Sequence, residues 1–313
     1  MKPINREQLI SAAGHVAVLK GGTSAEREIS LQSGQAVFDS LKRQGVNATV
    51  IDTGADIVAR LAEVQPDLVV NMLHGPGGED GLIQGVLEML GITYAGSGVL
   101  ASALAMDKAR SKLIWQRLNL PTPNFEVLDA KSDWQAIIKR HGAVVVKPVR
   151  GGSSIGIAIA RDATALQQQF QQAQQYDSEV MAEQYIGDGE FTVGMLDEDL
   201  LPPIRLTTTR EFYDYEAKYE DPGTRFICPA DISQERLDAL NTLALEAYRS
   251  LGCRGLARVD VMQDKDGGFY LLEVNTIPGL TSHSLVPAAA KQAGIDFDEL
   301  TLRLLNGALG KHG

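Results

Sequence analysis

Cysteine is nearly absent. Cys228 and Cys253 are the only two in 313 residues, and neither their number nor their spacing suits a disulfide framework or a thiolate metal site. A reducing cytoplasm is the expected compartment. A long basic run is missing too, and the net charge of −11 argues against a nucleic-acid partner or an anionic membrane surface. No apolar stretch approaches the length of a membrane span, and the opening MKPINREQLISAAGH lacks the continuous apolar block of a secretory signal. Internal repeats are not found. The glutamine-rich stretch at 167–175 reads as the wet face of a helix. What remains, with 44% hydrophobic and 22% charged residues, is an ordinary globular composition with room for two or three domains.

After a leader expected to be loose, residues 15–20 (HVAVLK) read as a buried strand, followed by GGTSAERE and a helical pattern over 25–43. Further strands are expected at 47–51 and 68–72, with a short helix at 56–63 between them. Such alternation implies a mostly parallel sheet covered on both faces, with ligands gathering at the carboxyl ends of its strands. Two loops occupy that edge. GGTSAERE puts Glu26 in the opening turn of its helix, where an acid could complement the helix dipole or meet a ligand. HGPGGEDG, from His74, has four glycines in eight residues, freedom that suits an unusual turn or close approach to a ligand. His74 taken alone could be structural or functional. Helices follow at 81–90 and 107–118, and Pro121-Thr122-Pro123 marks a linker, which ends the first domain near Met106.

Beyond the linker, VVVKP ends a strand with Lys147, and RGGSSIG is a Gly-Ser loop that could turn amides and hydroxyls toward phosphate oxygens or be a flexible hairpin tip. It lacks Walker spacing. In 179–186, Met181, Glu183 and Tyr185 share a strand face. Glu183 could accept hydrogen bonds from ribose hydroxyls or be an edge acid facing water. Glu190 begins the next strand. The irregular stretch 209–229, with Phe212, Tyr213, Tyr215 and Tyr219, reads as a lid. Asp231 with Gln234 is expected to cap the helix that runs to Gly252.

The most informative stretch is 258–279, RVDVMQDKDGGFYLLEVNTIPG. Two alternating strands flank Asp266-Gly267, which suits a two-residue hairpin loop. If Lys265 lies opposite Gly268, Asp260 faces Glu273 and Arg258 faces Asn275, with the valines and Leu272 toward the core. At about 5 Å and an effective dielectric near 20, the opposed carboxylates repel by roughly 3 kcal/mol. A divalent cation would offset this. Two carboxylates and the Asn275 oxygen are hard donors suited to magnesium; alternatively, Arg258 neutralises one acid on a solvated face.

Taken together, GGTSAERE, HGPGGEDG, the MDK at 106–108, VVKP, GSS at 152–154, FYDYEAKY, RVDVM, LLEVNTIPG and TSHSLVP resemble the ATP-grasp superfamily and, within it, the D-alanine:D-alanine ligases, in consistent order from about His15 to the end. The resemblance implies an amino-terminal parallel α/β domain (1–106), then a two-part ATP-grasp fold, central (107–188) and carboxyl-terminal (189–313). ATP would lie between two antiparallel sheets. By this resemblance Lys108, Lys147 and Ser154 hold phosphates, Glu183 and Glu190 meet the nucleoside, and Asp260, Glu273 and Asn275 hold two magnesium or manganese ions. Glu26 pairs with the first D-alanine's ammonium and His74 orients that substrate. Arg258 and the Gly279 amide form an oxyanion site, and Ser284 with the Leu285 amide takes the second carboxylate. Glu26, Ser153 and Tyr219 close the lid, with Lys218 beside them. A homodimer is implied as well. Gly151 and Gln184 depart from the acid and the lysine that many relatives carry there. Tyr219 favours an amine acceptor over D-lactate, a non-catalytic ATP-binding regulator would not need Arg258 or Ser284, and GGTSAE lacks the spacing of a dinucleotide fingerprint.

Overall fold

The computed structural model describes residues 3–152, 155–207, 225–282 and 284–310. Four parallel strands, β1 (Val16–Gly21), β2 (Ala48–Thr53), β3 (Leu68–Asn71) and β4 (Thr93–Tyr94), form the first sheet in the order β2-β1-β3-β4. The two-residue period of β1 divides its side chains between two cores. Val16 and Val18 pack with Val37 and Leu41 of the Arg27–Arg43 helix and with Leu300 and Leu305 near the carboxyl end. Ala17 and Leu19 pack with Leu61, Ile83 and Leu87 on the other face. A strand buried on both faces must be apolar at consecutive positions, as HVAVL is. The final helices, Leu285–Gln292 and Phe297–Leu309, thus return to cover the first sheet.

The leader is not loose. Arg6–Ala13 is helical, capped by the Asn5 side chain on the Gln8 amide, and it buries Leu9 and Ala13 in the same core as the final helices. Its short apolar pattern gains a partner only from a segment some 290 residues away, which no local reading could supply.

The second sheet is antiparallel, ordered β5-β8-β6-β7 from β5 (Phe125–Leu128), β6 (Val144–Pro148), β7 (Ala158–Ala160) and β8 (Val180–Gln184). Val144, Val146, Val180 and Ala182 pack against Ile137, Leu166 and Phe170 of its helices, so strand alternation turns Lys147 and Glu183 to the opposite face. The third sheet, also antiparallel, runs β12-β11-β9-β13-β14 with β10 beside β9. Its strands are β9 (Gly189–Leu196), β10 (Asp199–Leu200), β11 (Ile204–Thr207), β12 (Arg225–Ile227), β13 (Leu256–Gln263) and β14 (Phe269–Asn275). Val193, Val259, Val261, Leu271 and Val274 face the Gln234–Ser250 helix, which leaves Thr192, Arg258 and Asp260 on the other surface. That helix has Ser233, not Asp231, at its N-cap, and the Asp231 carboxylate instead accepts from Arg205.

The β13–β14 hairpin reaches the expected pairing at its far end by an unexpected route. Arg258 faces Asn275 and Asp260 faces Glu273, but from Val261 onward the register is shifted: Val261 faces Leu271 and Gln263 faces Phe269. The loop is not the two-residue turn expected. Asp264 and Gly268 close three residues, the Asp264 amide donating to the Gly268 carbonyl at 3.0 Å, with Gly267 at φ +89°. Asp264 Oδ1 accepts the Asp266 and Gly268 amides, a side-chain turn of the kind Asp favours. A β-bulge beyond Asp260 compensates for the extra loop residue and restores the pairing of the acids. The core residue is therefore Leu271, fully buried, rather than the half-buried Leu272. Leu271→Ala is expected to lower stability by about 2–5 kcal/mol and Leu272→Ala by about 1. Equal losses in denaturant titrations would contradict this register.

Candidate active site

The cleft between the second and third sheets is lined by Lys108, Lys147, Pro148, Gly151, Gly152 and Glu273. Lys108 opens the helix Lys108–Arg117, which Asp107 caps by accepting the Arg110 amide. Its ammonium donates to the Gly151 carbonyl at 2.6 Å and pairs with Glu273 Oε2 at 2.9 Å. One lysine thus holds the glycine loop of one sheet and the acid of the other. Burial alone would lower its pKa, but Glu273, with Glu26 and Glu79 farther off, outweighs burial and holds it above the usual lysine value.

On the third sheet, Asp260 is buried with its acceptor sites in use. Arg258 donates to both oxygens, at 2.8 and 2.7 Å, Thr192 Oγ1 to Oδ1 at 2.7 Å, and Asn275 Nδ2 to Oδ2 at 3.3 Å. The like-charge opposition read from the sequence is real, and here each acid has its own cation: Arg258 for Asp260, Lys108 for Glu273. Among the described residues no three His, Cys, Asp or Glu side chains cluster as an all-protein metal cage would need. Magnesium rarely uses such a cage. It takes one or two carboxylates and completes its shell from phosphates and water, and the donor set of Asp260, Glu273 and the Asn275 amide fits that habit.

Glu183 is buried behind Lys147, each oxygen facing an ammonium. Lys147 Nζ is 2.7 Å from Oε1 and Lys112 Nζ 2.5 Å from Oε2. Burial would raise its pKa, but the two ammonium groups prevail and keep it below the usual carboxylate range. Lys112 is pulled down to about 8 by burial first, then opposed by Glu183 and pushed further by Lys147. Glu190 begins the other wall, on β9 opposite Met262.

The first sheet adds its two edge loops. Glu26 stands at the N-cap position, one residue before the helix rather than within its first turn. Its carboxylate is cradled by glycines: a Cβ on Gly152 would lie 2.9 Å from both oxygens, and one on Gly75 (φ +71°) 2.8 Å from Oε2. Glycine at those positions permits the approach. Ser24 Oγ joins the two loops by donating to the His74 carbonyl at 2.7 Å. Glu79, not singled out from the sequence, is buried. Its Oε2 accepts the Gly75 amide at 2.7 Å. Burial, then the charge of Glu26, pushes its pKa up to about 8. His74 is buried too, bonded to the Ile277 main chain, with Nε2 3.4 Å from Ser33 Oγ. Ser33 Oγ also accepts the Leu280 amide at 3.1 Å, so one hydroxyl ties His74 to the loop carrying Gly279. Ser284 takes the N-cap position of the Leu285–Gln292 helix without a capping bond, its Oγ instead accepting the Thr281 amide at 3.0 Å. The Leu285 amide is thus at a helix start, a natural place for an anion.

The structure therefore gathers Glu26, Lys108, Lys147, Glu183 and Glu273 around one cleft, with Arg258, Asp260 and Asn275 on the adjoining hairpin face. Ser153, Ser154, Lys218 and Tyr219 lie outside the described residues. Lys112, Glu79 and Ser33 were missed. A signal for Lys112 did exist: it falls four residues after Lys108 and three before the fully buried Trp115, on one helix face.

His74 also sets an acid limit. Burial, then Arg258, depresses its pKa to about 4 from 6.5, so the unfolded chain binds the extra proton between those values. Stability rises with pH from about 4 to 6.5 and is constant for this group above that, a span worth about 3 kcal/mol at most. His74→Asn should flatten melting temperature against pH in that window. An unchanged acid slope would show that His74 is not the group responsible.

Comparison with known proteins places these features in a family. The family model for the D-ala D-ala ligase C-terminus matches residues 114–306, and the one for the D-ala D-ala ligase N-terminus matches 56–97. The D-alanine–D-alanine ligase of Stutzerimonas stutzeri is 51% identical over 297 residues, 95% of each chain. That of Ectopseudomonas mendocina is 50% identical over 303 residues, 96% of this chain and 97% of the relative. The crystal structure of the Bacillus anthracis D-alanine–D-alanine ligase complexed with ATP superposes with a TM-score of 0.85 at 32% identity, covering 96% of this chain and 100% of that one. A D-Ala:D-Ser ligase from Enterococcus faecalis gives 0.79 at 29% identity, covering 94% and 98%. By sequence and by fold, the chain belongs to the D-alanine–D-alanine ligase family.

Proposed function

We propose that the protein joins two D-alanine molecules into D-alanyl-D-alanine at the expense of ATP, supplying a peptidoglycan precursor. The observation that carries this reading is the convergence of Lys108, Lys147, the Gly151–Gly152 loop and Glu273 on one cleft between two antiparallel sheets. Two lysines and a glycine loop suit a polyphosphate. The division into segments 1–106, 107–188 and 189–313 is supported by one sheet falling in each.

In this reading the carboxylate of the first D-alanine attacks the γ-phosphorus of ATP, its new O–P bond forming as the bond to ADP breaks. The acylphosphate so formed is an electrophile that the free carboxylate is not. The second D-alanine's amine attacks the carbonyl carbon, the tetrahedral intermediate expels phosphate, and the nitrogen loses a proton. Asp260, Glu273 and Asn275 would hold two magnesium or manganese ions, which would neutralise charge on the phosphates. Lys108, Lys147 and Ser154 hold the phosphates. Glu190 serves the nucleoside side, while Glu183, placed there by resemblance, is buried against Lys147 and acts through it on the phosphate side. Glu26 meets the first ammonium, with His74 orienting that substrate as a neutral imidazole. Arg258 and the Gly279 amide stabilise the developing oxyanion. Ser284 and the Leu285 amide receive the second carboxylate. Ser153, Lys218 and Tyr219 complete closure, which keeps water from the acylphosphate.

The decisive assay supplies D-alanine as the sole amino acid. ADP release and D-alanyl-D-alanine by mass spectrometry are the expected results. Ester product predominating at neutral pH when D-lactate is added would assign the chain to the depsipeptide branch, and no ADP release would leave a binding protein.

A homodimer is proposed through the helices Leu82–Met89 and Val99–Met106, which expose Leu82 (67%), Met89 (91%) and Leu100 (71%). Apolar side chains this exposed on neighbouring helices favour a partner surface. Sedimentation should report a dimer that Met89→Glu weakens by about tenfold or more; a wild-type monomer at micromolar concentration would refute it.

A further inference from the structure

Lys112 has no place in the reaction above, yet it is fully buried and paired with one carboxylate, that of Glu183. Its ammonium donates hydrogen bonds to Thr122 Oγ1 at 2.6 Å and the Leu271 carbonyl at 3.1 Å, and pairs as an ion with Glu183 Oε2 at 2.5 Å. The partners belong to different parts of the fold. Glu183 is on β8 of the central sheet, Thr122 is in the Pro121-Thr122-Pro123 linker, and Leu271 is on β14 beside the bulge that sets Glu273 opposite Asp260. Linker and strand are bonded to each other as well: Thr122 Oγ1 donates to the Leu271 carbonyl at 2.8 Å, and the Leu271 amide donates to the Pro121 carbonyl at 2.9 Å.

A buried ion pair is a poor device for stability alone, since apolar side chains of equal volume often serve as well or better. It is a good device for direction. Glu183 has one oxygen for each lysine, so the oxygen held by Lys112 fixes the carboxylate plane and thereby the oxygen that aims Lys147 into the cleft. The same ammonium holds β14 at the residue two before Glu273.

We propose that Lys112 is a positioning residue for the nucleotide: through Glu183 it orients Lys147, and through the Leu271 carbonyl it fixes the spacing between the two sheets that enclose the polyphosphate. This rests on reading the cleft as an ATP site. It assigns no contact between Lys112 and the nucleotide itself.

The test measures calorimetric binding of ADP with magnesium, melting temperature without nucleotide, and KM for ATP and D-alanine, in wild type, Lys112→Met, Lys112→Gln and Thr122→Val. Lys112→Met should weaken ADP binding by about tenfold or more and raise KM for ATP in step, with KM for D-alanine within about twofold. Lys112→Gln, whose amide can still donate to Glu183 or the Leu271 carbonyl, should recover part of that loss. Thr122→Val, which removes one partner and keeps the shape, should cost about threefold in ADP affinity with little change in melting temperature. ADP affinity within twofold of wild type in Lys112→Met overturns the proposal. If that protein does not fold, the same result in Lys112→Gln and Thr122→Val overturns it. Losses in D-alanine KM as large as those in ATP KM would mark Lys112 as structural only. Failure of the wild-type protein to bind ADP would instead defeat the nucleotide reading, a separate outcome.

Discussion

Two carboxylates that face each other across a strand pair must each find a cation, and most of the cleft follows from how this chain meets that demand. Asp260 is matched by Arg258 two residues away on its own strand, and Glu273 by Lys108 at the start of the Lys108–Arg117 helix. Because Lys108 also donates to the Gly151 carbonyl, the charge that balances the hairpin is the same one that holds the glycine loop. The reach of a lysine side chain thereby becomes the width of the cleft. Glu183 repeats the pattern one layer deeper, between Lys147 and Lys112. Around the cleft, cations and acids alternate, so fixed charges are held in ion pairs.

Much of this was legible in the sequence because strand alternation is a local property. Val16, Val18, Val259 and Val261 separate inward from outward positions by parity alone, and the same counting puts Lys147 and Glu183 on one face and Asp260 opposite Glu273. The glycine density of HGPGGEDG suits an unusual turn or close approach to a ligand, and positive φ at Gly75, Gly77 and Gly81 shows the turn. Contacts between distant segments were not legible. The helix Arg6–Ala13 depends on the final helix, Lys112 on a carbonyl 159 residues on, and Ser33 on an amide 247 residues on. Their residue types carry no sign of such partners. The hairpin shows the limit from the other side. The two-residue loop was wrong by one residue, and the pairing of Asp260 with Glu273 survived only because the bulge cancels the error.

That cancellation has a physical reason. Side chains alternate with period two, so a one-residue slip along all of β14 would have sent Glu273 and Asn275 to the helix-packed face and Val274 to the cleft. Such a slip would bury a carboxylate among Val259, Val261 and Leu240 without a partner. The bulge confines the slip to the segment nearest the turn, where Leu271 rather than Leu272 fills the core. It also brings the Leu271 carbonyl to Lys112 and Thr122. The irregularity in the ladder is thus where the strand carrying the acids is fastened to the other half of the cleft.

The loops at the edge of the first sheet meet the same electrostatic demand with the opposite device. Glu79 and Glu26 come from neighbouring loops, and no lysine or arginine forms a salt bridge with Glu79 among the described residues. Burial and the nearby carboxylate push Glu79 up to about 8, so near neutral pH it is mostly protonated and the loop HGPGGEDG carries one charge fewer than its composition suggests. Where two acids cannot both be matched, separating their proton affinities removes the conflict. Glu79 shapes the loop through the Gly75 amide, and the Glu26 carboxylate is set between Gly75 and Gly152. Lysines balance the acids on the Lys108–Lys147 side of the cleft, and a retained proton relieves the Glu79–Glu26 side.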